Sequence, residues 1–213
     1  MKIICISGKA QHGKDTTANF LRANLEAEGK KVLIAHYGDQ VKHLCRDYFC
    51  WDGVKDEAGR SLLQYVGTDV IRHQSEDFWV DKVLDVLRFF PNEWDYVLIP
   101  DCRFPNEIER VKEFAKEYGF DSYHARVVRP IFESPLTPEQ QAHPSETALD
   151  DCSPDMYVYN IGTLVDLNRT AGLWADLLIQ LSSGVISFNL VMMGGLMWAT
   201  KKPPEIAARA SSI

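Results

Sequence analysis

The chain has 213 residues, 46% hydrophobic and 25% charged, which is enough apolar material for one sizeable folded domain and excludes a disordered chain. A formal net charge of -7 argues against a general nucleic-acid binder, because duplex affinity rests on many Lys and Arg contacts to phosphate. The five cysteines (Cys5, Cys45, Cys50, Cys102, Cys152) form no Cys-x-x-Cys pair; with no secretory signal they read as reduced thiols in a cytoplasm, and the six histidines show no zinc spacing.

The chain opens on an apolar run, Ile3 to Ile6, that reads as a buried strand; it breaks at Ser7-Gly8 and a helical pattern resumes after Gly13. Between the glycines the spacing is G-x-x-x-x-G-K, the loop in which small residues let backbone N–H groups point at phosphate while a lysine, here Lys14, reaches the outer phosphates. Gly8, Gly13, Lys14, Asp15, Thr16 and Thr17 are the expected phosphate-binding set, helped by the positive end of the following helix. The bland alternative is a Gly-rich strand-helix turn with a solvated Lys14. Asp15 stands where Ser or Thr usually follows the lysine, so the hydroxyl at the helix start passes to Thr16.

Phe20, Leu21 and Leu25 mark a helix face that Gly29 can end, and Lys31 to His36 reads as a second strand, giving a βαβ unit and a mostly parallel sheet. Asp39 and Lys42 follow that strand, where open α/β sheets place ligand groups; the other reading is the solvated first turn of a helix. From Val41 to about Val86 the pattern is mostly helical and carries Arg60, Gln64, Tyr65, Arg72, His73, Gln74 and Trp79. These form either a clamp over an acceptor or a surface with Phe78 and Trp79 in the core. Trp94 to Arg103 is a buried strand ending in Asp101, the acid that beside such a loop orients a metal directly or through water. Pro105 then starts a helix (Ile108, Val111, Phe114, Ala115, Tyr118) that ends at Gly119. Arg103, between acid and helix, is the best phosphate ligand outside the loop.

Tyr123 to Arg129 reads as a strand carrying Arg126 and Arg129. The Pro-rich excursion from Pro130 to Pro154 reads as a lid holding His143, Ser145 and Glu146, or as a solvated loop. Met156 to Asn160 is a last core strand, and Thr163 with Asp166 caps a helix carrying Leu167, Trp174, Leu177, Leu178 and Leu181. Gly184 to Thr200 is apolar but shorter than the ~20 residues a membrane helix needs, and Asn189 and a Gly-Gly interrupt it. A hairpin or docking arm is expected there rather than a membrane anchor, which leaves a homodimer open.

Together these motifs resemble one family, the bacteriophage-type deoxynucleoside monophosphate kinases: Gly8 to Thr16, Tyr37-x-Asp39-x-x-Lys42, Leu63-Gln64-x-x-Gly67-Thr68 through Arg72, Phe78-Trp79-Val80, Pro100-Asp101-Cys102-Arg103-Phe104-Pro105-Asn106-Glu107 and His143-x-Ser145-Glu146-Thr147. The likeness spans residues 1 to about 180. It implies a three-layer α/β/α P-loop NTPase fold with a mostly parallel sheet, like nucleoside monophosphate kinases, and transfer of the γ-phosphate of ATP to a deoxynucleoside monophosphate with Mg²⁺. By that likeness Lys14, Arg103 and Arg129 act on the moving phosphoryl group, and Thr16 and Asp101 orient Mg²⁺. The acceptor site it implies draws on Asp39, Lys42, Gln64, Arg72, Trp79, Arg103, Arg126, Arg129, His143, Ser145 and Glu146. The expected organisation is a kinase domain over 1–183, with the acceptor-binding region at about 41–86 and the lid at about 130–155, followed by an arm over 184–213. The rival readings are a P-loop kinase of another phosphorylated metabolite and a nucleotide-binding protein without catalysis.

Overall fold

The computed structural model describes residues 1–182; the apolar arm expected over 184–213 lies outside the described residues. Five strands, β1 (Lys2–Ser7), β2 (Val32–Ile34), β3 (Tyr96–Ile99), β4 (Asp121–Val128) and β5 (Met156–Tyr159), form one sheet in the order β2-β3-β1-β4-β5. Every pairing is parallel, with β1 central between β3 (Ile3 beside Val97) and β4 (Ile4 beside Tyr123). A parallel sheet is covered on both faces, so its central strands read as unbroken apolar runs, and all six residues of β1 and all four of β3 are buried.

Period-two alternation sends the residues of β1 to two cores. Ile4 and Ile6 pack with Ala18, Leu21 and Leu25 of α1 (Lys14–Ala27) and with Leu167, Trp174 and Leu178 of α8 (Leu164–Ser182). Ile3 and Cys5 face the opposite core, with Val80, Val83, Leu84 and Leu87 of α4 (Phe78–Phe89) and Ile108, Val111 and Phe114 of α5 (Pro105–Tyr118). Three layers result. Pro105 opens α5 at its first turn, where its missing N–H costs nothing.

Between β2 and α4 the chain forms α2 (Tyr37–Phe49), α3 (Glu57–Gln64) and a π-helical stretch, Tyr65–Arg72. The helical expectation for this region holds, but the wider π winding is invisible to a 3.6-residue pattern. The strands come out shifted: β2 covers Val32–Ile34 within the expected Lys31 to His36, and β4 starts at Asp121 and stops at Val128. The excursion expected as a loop carries two short helices, α6 (Pro138–Ala142) and α7 (Pro144–Thr147), each opened by a proline. No helix among the described residues is long and apolar enough to cross a membrane.

Trp174 is fully buried between α8 and the sheet. Replacing it with Ala should cost about 3–5 kcal/mol; at ~2–4 °C per kcal/mol for a chain of this size, the melting temperature should fall by roughly 6–20 °C, read by calorimetry.

Candidate active site

The turn between β1 and α1 has the geometry its spacing predicts. Gly8 (φ 147°) and Gly13 (φ 96°) hold positive φ angles. A Cβ on Gly8 would collide with the carbonyl oxygen of Val127 in β4, and one on Gly13 would sit 2.8 Å from Nδ2 of Asn160, so no side chain fits at either position. Lys14, only 9% exposed, donates from Nζ to the carbonyls of Gly8 (2.8 Å) and Lys9 (2.9 Å). Burial, reinforced by the nearby Arg103 cation, pulls its pKa down from 10.5 to about 8. Thr17 departs from the expectation that it binds phosphate: it is fully buried, and both its N–H and its hydroxyl bond the Gly13 carbonyl at 2.8 Å. Thr16 keeps partial exposure in the first turn.

Asp15 turns away from the loop toward the end of β2, where its carboxylate meets Nε2 of His36 at 3.0 Å. That bond lowers the Asp15 pKa and raises that of His36. Nδ1 of His36 lies 3.6 Å from Asp39, which in turn holds Lys42 at 2.6 Å. Asp39 and Lys42 therefore pair with each other at the start of α2. Sequence reasoning passed over His36, whose one signal was its place at the carboxyl end of a strand. Asp101 accepts from the backbone N–H groups of Tyr37 (3.1 Å) and Gly38 (2.8 Å), capping α2. Burial raises its pKa against the pull of those N–H groups and of His36.

A cavity of about 160 Å³ opens beside the loop, lined by Gly8, Arg103, Arg126, Ser145, Glu146 and Tyr157 among others. The resemblance-derived Arg103, Arg126, Ser145 and Glu146 thus share one wall system. The Arg103 guanidinium, 42% exposed, donates from Nη1 to Glu146 at 3.0 Å, and Arg126 donates to the Leu149 carbonyl. His143 meets Gln64 at 3.1 Å and Ser145 Oγ at 2.9 Å, tying the start of α7 to α3. Arg129 lies 4.5 Å over the Phe132 ring, and its N–H reaches His12.

Two expected substrate ligands hold the fold instead. Trp79 is 4% exposed, and its indole N–H donates to Gly67 O at 2.8 Å; it is core, fixing the π-helical stretch to α4. Arg72 pairs with the buried Glu107, donates to Asn106 and stacks 4.0 Å over Phe104, so its guanidinium is engaged away from the loop. Glu107 also accepts from the N–H groups of Arg103 (2.7 Å) and Phe104 (3.1 Å), which makes it the residue that shapes the Asp101–Pro105 turn. Burial raises its pKa and Arg72 opposes the rise. A glutamate three residues into a proline-started helix was the readable signal for this cap.

A central parallel strand running through a glycine-bounded anion loop into a helix, with strand order β2-β3-β1-β4-β5, decides the architecture. This is a P-loop NTPase-like α/β fold. Neither a family model nor a curated protein matches the chain. Solved structures similar to it include the Mycobacterium tuberculosis APS kinase in complex with AMPPNP and APS (14% identity, 85% of this chain and 97% of that one, TM-score 0.49). Others are the Deinococcus radiodurans tunicamycin resistance protein (14%, 81% and 95%, 0.47) and a Janibacter sugar kinase (11%, 83% and 95%, 0.45). Likenesses at this level assign no substrate.

With its folded pKa near 8 and its free value near 10.5, Lys14 leaves the folded protein binding fewer protons than the unfolded chain between those values. Stability therefore rises with pH through that window, and the penalty is fully present below it. Lys14→Met should melt above the parent near pH 7, with the gap shrinking by about pH 9.5, as thermal scans at both values will show.

Proposed function

We propose that the protein is an ATP-dependent small-molecule kinase and that its acceptor is a deoxynucleoside monophosphate. The observation that carries the kinase reading is one cavity lined jointly by the phosphate loop and two guanidiniums, Arg103 and Arg126, in a protein whose loop lysine is already desolvated. The acceptor class rests on the sequence resemblance through the Asp101-to-Glu107 and His143-to-Thr147 motifs.

Phosphoryl transfer asks little covalent chemistry of the protein; it asks for two phosphates in line and for neutralised charge. In this reading the loop N–H groups and Lys14 hold the β- and γ-phosphates of ATP, and Arg103 reaches between donor and acceptor with the fork geometry that phosphate accepts. Arg126 lines the far wall. An acceptor phosphate oxygen is ionised already, so no general base is assigned to Asp15 or Asp101. Thr16 and Asp101 offer hard oxygen donors of the kind Mg²⁺ takes; no cluster of three or more His, Cys, Asp or Glu among the described residues is arranged to hold a metal, so nucleotide oxygens and water would complete its shell. When bound, Mg²⁺ supplies charge neutralisation on the phosphates.

A second reading, a kinase of another small phosphorylated metabolite, is favoured by the cavity's size and lining. It takes no residue from the 41–86 region expected to hold a nucleotide base. A panel of the four deoxynucleoside monophosphates, a ribonucleotide and phosphorylated metabolites in a coupled ADP assay separates the two. ATP binding without any acceptor-dependent ADP release would leave only the non-catalytic reading. Arg103→Lys keeps the charge and loses the fork, so acceptor kcat/KM should drop at least ~tenfold, or ~1.4 kcal/mol. ATP affinity measured without acceptor should change much less. A lowered melting temperature with unchanged acceptor kinetics would instead make Arg103 a structural partner of Glu146.

A further inference from the structure

A phosphate loop works by keeping its backbone N–H groups available to an anion. One of them here has an anion from the protein itself. The Ala10 N–H donates to Oε2 of Glu146 at 2.8 Å, while Oε1 of the same carboxylate takes Nη1 of Arg103 at 3.0 Å. The Glu146 side chain is 8% exposed, while the Arg103 guanidinium it holds is 42% exposed. The backbone around it is fastened to the same loop: Nζ of Lys9 donates to the Glu146 carbonyl and, at 2.6 Å, to Asp150. Inside the lid segment, the Glu146 N–H bonds the His143 carbonyl at 2.8 Å. A carboxylate accepting from a loop N–H and a guanidinium makes the contacts that phosphate oxygens accept. It is delivered by a short helix, Pro144–Thr147, rather than by a ligand.

Resting on the P-loop reading above, we propose that Glu146 is a built-in competitor for the polyphosphate, occupying the Ala10 N–H and the Arg103 guanidinium until a nucleotide phosphate exchanges with it and frees the 143–150 segment from the loop. The exchange moves no covalent bond. It sets a threshold, since a ligand that engages only the open form has its apparent affinity reduced by the fraction of molecules in that form. It also makes Arg103 available to phosphate only after nucleotide has entered, which orders the binding of donor before acceptor.

The test is ATP affinity by calorimetry, without acceptor, for the full chain and for Glu146→Gln, Glu146→Ala and Asp150→Asn. The amide keeps an acceptor for Ala10 but loses the charge on Arg103, and Ala loses both. Affinity should tighten in the order wild type, Gln, Ala, reaching about tenfold for Ala if the open form is about a tenth of the wild-type population. Asp150→Asn should tighten it by less, through Lys9 alone. Simple removal of a negative charge also favours an anion, so hydrogen exchange supplies the deciding readout. In the wild type, ATP should protect residues 8–16 while speeding exchange over 144–150. Protection of both segments by ATP, or unchanged or weaker binding in both Glu146 variants, would overturn the proposal. Failure of the acceptor assay alone leaves it standing, whereas absence of ATP binding in every protein ends both readings.

Discussion

The structure depends on placing an unneutralised cation where water barely reaches. Lys14 lies beyond the carboxyl end of the central strand, where two loop carbonyls accept two of its hydrogens without cancelling its charge. That is possible because β1 has neighbours on both sides. Val127 of β4 presses against Gly8, and Ser7 Oγ meets Nε2 of the buried His124 at 2.7 Å beneath the loop. Burial drives the His124 pKa down to about 3, so this ring is a neutral strut and adds no charge to the anion site. The loop rests on a rigid floor, and its N–H groups keep their direction.

Around that cation a chain of net charge -7 turns three acids, Asp101, Glu107 and Asp15, toward backbone or side-chain partners. Asp101 caps α2, Glu107 caps the turn before α5 and holds Arg72, and Asp15 is drawn off by His36. Each acid is matched locally, which limits the desolvation cost that an unpaired buried carboxylate would incur. What remains around the loop and its cavity is mostly positive, Lys9, Lys14, Arg103 and Arg126, against two acids, Glu146 and Asp150. That imbalance gives an acidic protein a local excess of positive charge beside the loop.

The resemblance placed Arg72, Arg103 and Arg129 together in the implied acceptor site, and all three are arginines beside apolar stretches in the sequence. Only tertiary placement separates them. Arg72 finds a buried glutamate within reach and becomes part of the scaffold, Arg103 keeps an exposed guanidinium at the cavity, and Arg129 stacks on Phe132. A linear pattern carries no information about which acid lies opposite a given arginine, since the partners are separated by 35 to 43 residues here. Trp79 shows the same limit. Its neighbours in sequence suit either a base platform or a core, and the decision comes from the Gly67 carbonyl folded against it by the π-helical winding.

What the sequence determined by itself is the part governed by local rules. These are the apolar central strand, the glycine-bounded loop with its lysine, the acid just past the end of β3, and the proline-started helix after it; each follows from periodicity, φ limits or capping within a few residues. Tertiary structure alone decided the strand order, the pairing of Asp15 with His36, the engagement of Arg72, and the meeting of Glu146 with Ala10 across 136 residues of chain. Those contacts are long-range electrostatic choices among many chemically equivalent partners, and they become fixed only when the packing of two cores has set which side chains can reach one another.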